Sequence, residues 1–214
     1  MTTRLILYNT ALLYAGERAL SSLTEDREPR RMLDQAWNAS LVRRCLELGQ
    51  WHFAMRGVQI DPDPAIEPPF GYTNVFNKPS DWVITSGLCS DEYFTSPINR
   101  YTDEGGQWYA DDNPIYVKYV SDDVDYGNNL GGWPETFADF VAWDLAARII
   151  MKLSDSDQRN KEIAGSRRAA LKLAKNKAAM AEPTMFPARG NWSKARNYGS
   201  KRGDGGNSSG NLIG

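Results

Sequence analysis

WPETFADFVAWDLAARIIMKL, residues 133–153, decides the fold of this chain. Phe137, Phe140, Val141, Leu145, Ile149 and Leu153 recur at helical spacings and predict an amphipathic helix. Pro134 sits in the first turn, where a missing N–H costs nothing. Ala138, Ala142, Ala146 and Ala147 lie beside the main stripe and allow another helix to approach closely. Such a segment needs partner faces, and the rest of the chain must supply them.

Working outward, Ser154 to Ser156 break the run. A Lys- and Ala-rich helix follows from about Asp157 to Ala181, with Ile163, Ala170, Ala174 and Ala178 as its thin apolar stripe and Pro183 as its stop. At the other end, residues 3–15 read as a helix carrying Leu5, Tyr8, Leu12 and Ala15, closed by Gly16. A second helix is predicted from about Arg27 to Gln50, capped by Asp26, with Pro29 in its first turn and Gly49 at its end. Its apolar line is Leu33, Trp37, Leu41, Cys45 and Leu48. At about 1.5 Å per residue it would run roughly 35 Å.

Between these helices the texture changes. From Trp51 to Tyr126 there are Pro clusters and short runs of aromatic and β-branched residues. They predict strands at His52–Ile60, Tyr72–Phe76, Trp82–Ser86, Gln107–Ala110 and Ile115–Val120. Gly105-Gly106 marks a hairpin or loop tip. The expected fold class is α+β: a helical bundle from residues 1–50 and 133–182, with an inserted, mostly antiparallel β-domain over 51–132. Residues 183–214 are expected to form an extended basic, Gly-rich arm.

The formal net charge is −2. Residues 183–214 carry five basic residues and one acid, about +4, so residues 1–182 carry about −6. Acid concentrates between Asp103 and Asp125, in Asp103, Glu104, Asp111, Asp112, Asp122, Asp123 and Asp125. An acidic body with a basic arm suggests that the arm docks on something acidic. The arm has few aliphatic residues, so alone it cannot offset its ordering entropy. Phe186, Trp192 and Tyr198 are its candidate anchors. Arg189, Lys194, Arg196, Lys201 and Arg202 are its candidate pairing cations.

No constellation for catalysis is present. His52 is the single histidine, which excludes a His-based metal cluster and leaves any Ser-His-Asp triad dependent on that residue. Gly203-Asp-Gly-Gly206 opens no helix, and no Gly-rich phosphate loop precedes Lys-Ser/Thr. The pairs Asp111-Asp112 and Asp122-Asp123 read as solvated loop acids. Glu17 and Asp81 read as turn or capping residues. Cys45 and Cys89 read as reduced thiols. No enzyme activity, cofactor or metal is expected. Trp108 and Tyr109 lie beside the Gly-Gly tip among acids, where exposure would make them interface anchors. No apolar run approaches a membrane span of about 18 residues. The N-terminal residues lack the apolar stretch of a signal peptide.

Six stretches, in order, resemble the tail tubular protein A family, the head-to-tail adaptors of short-tailed bacteriophages. They are Asn9-Thr-Ala-Leu-Leu-Tyr-Ala-Gly-Glu17, Leu46-Glu-Leu-Gly-Gln-Trp-His-Phe-Ala54, Phe76-Asn-Lys-Pro-Ser-Asp-Trp82, Asn113-Pro-Ile-Tyr-Val-Lys-Tyr-Val120, and Trp133-Pro-Glu-Thr-Phe137 through Ala147 with Leu153-Ser-Asp-Ser156. The resemblance covers roughly residues 5–182; the arm lies outside it. It implies a virion protein assembled in the bacterial host cytoplasm. A ring of twelve copies would sit beneath the portal and above a tail nozzle of the tail tubular protein B type, with double-stranded DNA passing through its lumen. In such a ring the arm would contact the portal or a neighbouring subunit. Trp108 and Tyr109 would contact the nozzle, and the acidic stretch would face the channel or the lower rim. The alternative is a nucleic-acid-binding module using the basic, aromatic tail; the negative body opposes it.

Overall fold

Helices α1 (Arg4–Ala15), α2 (Glu28–Asn38) and α3 (Leu41–Leu46) precede the strands, and helices α4 (Glu135–Leu153) and α5 (Asp157–Met180) follow them. The strands are β1 (Met55–Ile60), β2 (Asn74–Asn77), β3 (Trp82–Cys89), β4 (Thr102–Glu104), β5 (Gln107–Ala110) and β6 (Ile115–Ser121). The computed structural model describes residues 2–68, 71–153 and 156–181, and these belong to one compact unit. The chain is α+β, with antiparallel sheets.

Helix α4 is buried around most of its circumference, from Phe137 and Phe140 through Leu145 to Ile149 and Ile150. It packs against α1, α2 and α5. Its small residues do what their size allows: Ala138, Ala142 and Ala146 are buried under the neighbouring helices. Asp139, Trp143, Ala147 and Met151 form a partly open line along it, with Arg148 and Lys152 beside that line and Glu135 and Thr136 open at its first turn. Helix α5 buries Ile163, Ala170 and Ala174, the stripe its spacing predicts, with Ala178 packed at the edge of the same core.

The predicted helix over Arg27–Gln50 is two helices. The chain breaks after Asn38, and Ser40 adopts φ 59°, a left-handed conformation that costs a non-glycine residue about 1–3 kcal/mol. The break turns α3 so that Leu41, Val42, Cys45 and Leu46 all reach the core, a burial that outweighs the strain. Leu48, on the predicted stripe, is left 37% exposed. Asp26 does not cap α2; the N-cap is Arg27, without a side-chain bond, and Asp26 lies 3.7 Å from Arg31. The indole N–H of buried Trp51 donates to the carbonyls of Cys45 (3.2 Å) and Leu46 (3.1 Å), closing the end of α3. His52–Ala54 is a 3-10 turn rather than strand.

The strands form two three-stranded sheets, β1-β6-β3 and β2-β5-β4. In the first, Met55 faces Val120 and Ile60 faces Ile115. Alternation along β6 sends Ile115, Val117 and Tyr119 into a second core with Phe76, Leu88, Trp108 and Ala110 from the other strands. Val120, on the opposite face of β6, joins Val83 in the helical core. The β1-β6-β3 sheet therefore contributes side chains to both cores. Gly105 (φ 59°) and Gly106 (φ 83°) turn the β4–β5 hairpin, a pair of positive φ values that glycine adopts without strain. At Gly127 a Cβ would lie 2.2 Å from the Ser121 carbonyl oxygen and 2.6 Å from Leu46 Cδ1, so only glycine fits between the sheet edge and α3.

Phe140 and Leu145 are fully buried. Replacing either with Ala is expected to cost about 2–5 kcal/mol, read from urea denaturation. Met151, on the same helix but 75% exposed, should tolerate Ala with a change within about 0.5 kcal/mol.

Candidate functional site

The hairpin places Trp108 opposite to expectation. Along β5, Trp108 and Ala110 face inward while Gln107 and Tyr109 face outward. Trp108 is 0% exposed. Its indole N–H donates to Thr85 Oγ1 (3.0 Å) and Asp103 Oδ2 (3.2 Å). It belongs to a polar knot between the sheets: Lys78, with its side chain only 7% exposed, pairs with Asp103 and lies 3.5 Å from the centre of the Trp82 ring. A cation held against an aromatic face and a carboxylate is well satisfied away from water. Trp108 is therefore a core residue and no surface anchor; burying its ring between the sheets removes far more apolar area from water than a hairpin tip offers. Tyr109 remains half-buried on the outer face, donating its hydroxyl to Gln107 Oε1 at 2.9 Å.

The acidic stretch divides into two groups. Asp103 is tied to Lys78, Asp111 lies 3.2 Å from Arg100, and Asp122 lies 2.6 Å from Arg43. Asp103 and Asp122 are held in part-buried ion pairs and Asp111 in an exposed one, so the stretch presents less net charge than its composition suggests. Glu104, Asp112, Asp123 and Asp125 have no cation partner among the described residues. Glu104 is exposed beside the hairpin tip, and Asp125 is exposed in the loop after β6. The Asp123 carboxylate accepts from the Asp125 backbone N–H at 3.0 Å.

Asp81 is a hub rather than a simple turn residue. Its carboxylate pairs with Arg56 at 2.8 Å and accepts from the hydroxyls of Tyr119 (3.1 Å) and Ser121. Its backbone carbonyl accepts from the Asp122 N–H at 3.0 Å. The guanidinium of Arg56 also lies 5.5 Å over the Tyr126 ring, and Ser121 Oγ accepts from the Asp123 N–H at 3.0 Å. One carboxylate thus joins β1, the approach to β3, β6 and the base of the acidic loop. Burial pushes this carboxyl up, but the bonds from Ser121, Arg56 and Tyr119 outweigh it and hold it below the usual carboxylate range. Burial, and then the Asp81 charge, raises the Tyr119 hydroxyl.

Two further carboxylates clamp the helices. Asp144, 2% exposed, accepts from Arg148 (2.7 Å) and from Arg167 of α5 (2.5 Å). Asp34 of α2 accepts from Arg4 (2.6 Å), Arg30 (2.7 Å) and the Tyr8 hydroxyl (2.9 Å). Tyr14 stacks on Trp143 with centroids 3.8 Å apart and donates to Asp139; burial, with Asp139 beside it, pushes its hydroxyl up to about 12. Cys45 and Cys89 are free, buried thiols, and burial raises both.

A cleft of about 160 Å³ beside Trp51, Phe53, Phe137 and Ala178 is mainly apolar and below the size that encloses a drug-sized ligand. Among the described residues no group of three or more His, Cys, Asp or Glu is arranged to hold a metal. None of their helices is long and apolar enough to cross a membrane. Phe186, Arg189, Trp192, Lys194, Arg196, Tyr198, Lys201 and Arg202 lie outside the described residues. No protein-family model matches the chain, and no curated protein matches it.

The Asp81 hub predicts an acid response. A carboxyl held below its unfolded value of about 3.9 contributes stability that is present above that pH and lost as pH falls through the folded value. Asp81→Asn should lower stability near neutral pH by about 1–3 kcal/mol. It should also flatten the loss below about pH 4, as measured by thermal melts from pH 7 to 2.5.

Proposed function

We propose that this chain is a structural virion protein, the head-to-tail adaptor of a short-tailed bacteriophage. Copies form a ring, twelve by the resemblance, that joins the portal to the tail nozzle and encloses part of the DNA exit channel. The supporting observation is that several large apolar side chains are left uncovered by the chain's own elements. Ile6 and Leu13 on α1 are 51% and 71% exposed, Met151 on α4 is 75%, and Leu173 and Met180 on α5 are 57% and 80%. Apolar side chains scattered singly are ordinary, but several on neighbouring helices suit a subunit covered by others. Of the stretch from Asp103 to Asp125, Glu104, Asp112, Asp123 and Asp125 are the carboxylates available to a neighbour, the nozzle or the channel wall. A negative lumen lets DNA slide without sticking. With Trp108 in the core, Tyr109 on the outer face of β5 is the remaining candidate nozzle contact. The arm from residue 183 is assigned to the portal or a neighbouring adaptor.

The test is assembly and capture. The purified chain is expected to sediment as a ring, or to form one on mixing with the portal protein encoded in the same genome. Deleting residues 184–214 should leave the melting temperature unchanged and weaken portal capture at least about tenfold, since an aromatic and basic arm carries anchors of about 1–2 kcal/mol each. A chain that neither assembles nor binds portal overturns the reading.

A further inference from the structure

Among the described residues Tyr93 is the only exposed aromatic side chain, at 77%. It stands in the 90–97 loop after β3, and that loop is built around Asp91. The Asp91 carboxylate accepts from the backbone N–H groups of Thr95 (3.1 Å) and Ser96 (2.7 Å) and from the Thr95 hydroxyl (2.6 Å). The Ser90 N–H donates to the Ser96 carbonyl at 3.0 Å. Phe94 turns at φ 55°, and its ring lies under the Lys118 ammonium of β6 at 5.6 Å. Phe94 is thus folded onto the sheet while Tyr93 is left in water. Glu92 accepts from the Tyr93 hydroxyl, so a carboxylate stands beside the exposed ring. Held in this way, the loop has little entropy left to lose on contact.

A rigid, exposed tyrosine is the residue type that anchors an interface when a pocket receives it. The cleft at the end of α5 has the matching size. Its volume is about 160 Å³, room for one aromatic side chain and too little for a drug-sized ligand. One wall is Trp51, Phe53 and Phe137, with ring centroids 4.8 to 6.4 Å apart. The other is Ala174 and Ala178 of α5 with its C-cap Ala181, whose small side chains leave the space open. Lys177 lines the cleft, and Lys175 lines the adjoining hollow beside Trp51 and Ala178; both are exposed. At about 100° per residue the two lysines flank Ala178, about 100° to one side and 60° to the other. A polyanion would use the lysines and leave the aromatic cleft empty. A purely apolar ligand would fill the cleft and leave the lysines unused. A tyrosine with a carboxylate next to it uses both, and this chain presents that pair at Glu92-Tyr93.

We propose that Tyr93 of one copy inserts into the Trp51-Phe53-Phe137 cleft of a second copy, with Glu92 set against Lys177. Burial of the ring supplies the affinity, and the charge pair orients it. The assignment rests on the self-association in the ring reading above and names the surfaces that meet.

The experiment is sedimentation velocity of the full chain over a concentration series. The wild type is expected to associate. Tyr93→Ala removes the ring and should weaken association at least about tenfold, whereas Tyr93→Phe should retain most of it. Ala178→Phe fills the cleft and should weaken association as much as Tyr93→Ala, with the melting temperature as the check on folding. Glu92→Lys and Lys177→Glu should each weaken it, and mixing those two variants should restore it. Wild-type association matched by Tyr93→Ala, an exposed substitution, overturns the proposal. So does association left intact by Ala178→Phe, a wild type that stays monomeric throughout the series, or a mixture of the charge variants no stronger than either alone. Portal capture separates the two readings. Capture by the wild type alongside any of these outcomes removes the Tyr93 contact and leaves the adaptor assignment in place; absence of both association and capture removes both.

Discussion

Helix α4 buries side chains around most of its circumference, and that burial cannot be satisfied by any single neighbour. Three helices have to reach it: α1 and α2 from the front of the chain and α5 from the back. The β1-β6-β3 sheet adds Val83 and Val120 to the same core. The chain must therefore leave the helical core after Trp51, build its sheets, and return at Trp133. Trp133 and Trp51 close this joint by packing edge-on to Phe137, with centroids 5.0 and 4.8 Å away. Aromatic pairs in this geometry add to the area they bury. The two ends of the inserted segment are thus held against one side chain of α4.

Hydrophobic burial explains that the elements come together but not their relative registers. Three carboxylates supply much of that. Asp34 fixes α1 to α2, Asp144 fixes α4 to α5, and Asp81 fixes β1, β6 and the acidic loop to the approach to β3. Ion pairs of this kind add little net stability, because desolvation cancels much of the Coulomb gain. Leaving one partner unpaired is costly, however, so arrangements that separate them are disfavoured. The same logic accounts for Lys78, enclosed by Asp103 and the Trp82 ring.

These ties also sort the charge of the molecule. Carboxylates tied up by part-buried partners, such as Asp103 and Asp122, are lost to any partner. Those left over, with the unpaired cations of α5, form surfaces of opposite sign on one chain.

Local pattern by itself determined the element types. The helical spacing of residues 135–153 and 157–180, the period-two alternation of β5 and β6, and the Gly-Gly turn are all set by short-range geometry. Alternation along Gln107-Trp108-Tyr109-Ala110 also held the signal that Trp108 points inward, though its acidic, glycine-rich neighbours suggested exposure. Other features were decided only in three dimensions. Nothing in Asn38-Ala39-Ser40 interrupts helix propensity strongly; the break follows from the burial α3 gains by turning. The partners of Asp81 lie 25, 38 and 40 residues away, and Arg167 lies 23 from Asp144. No local window contains such pairs. Sequence therefore shows which side chains carry charge, whereas the packing of helices and sheets decides which charges are used internally and which remain for a partner.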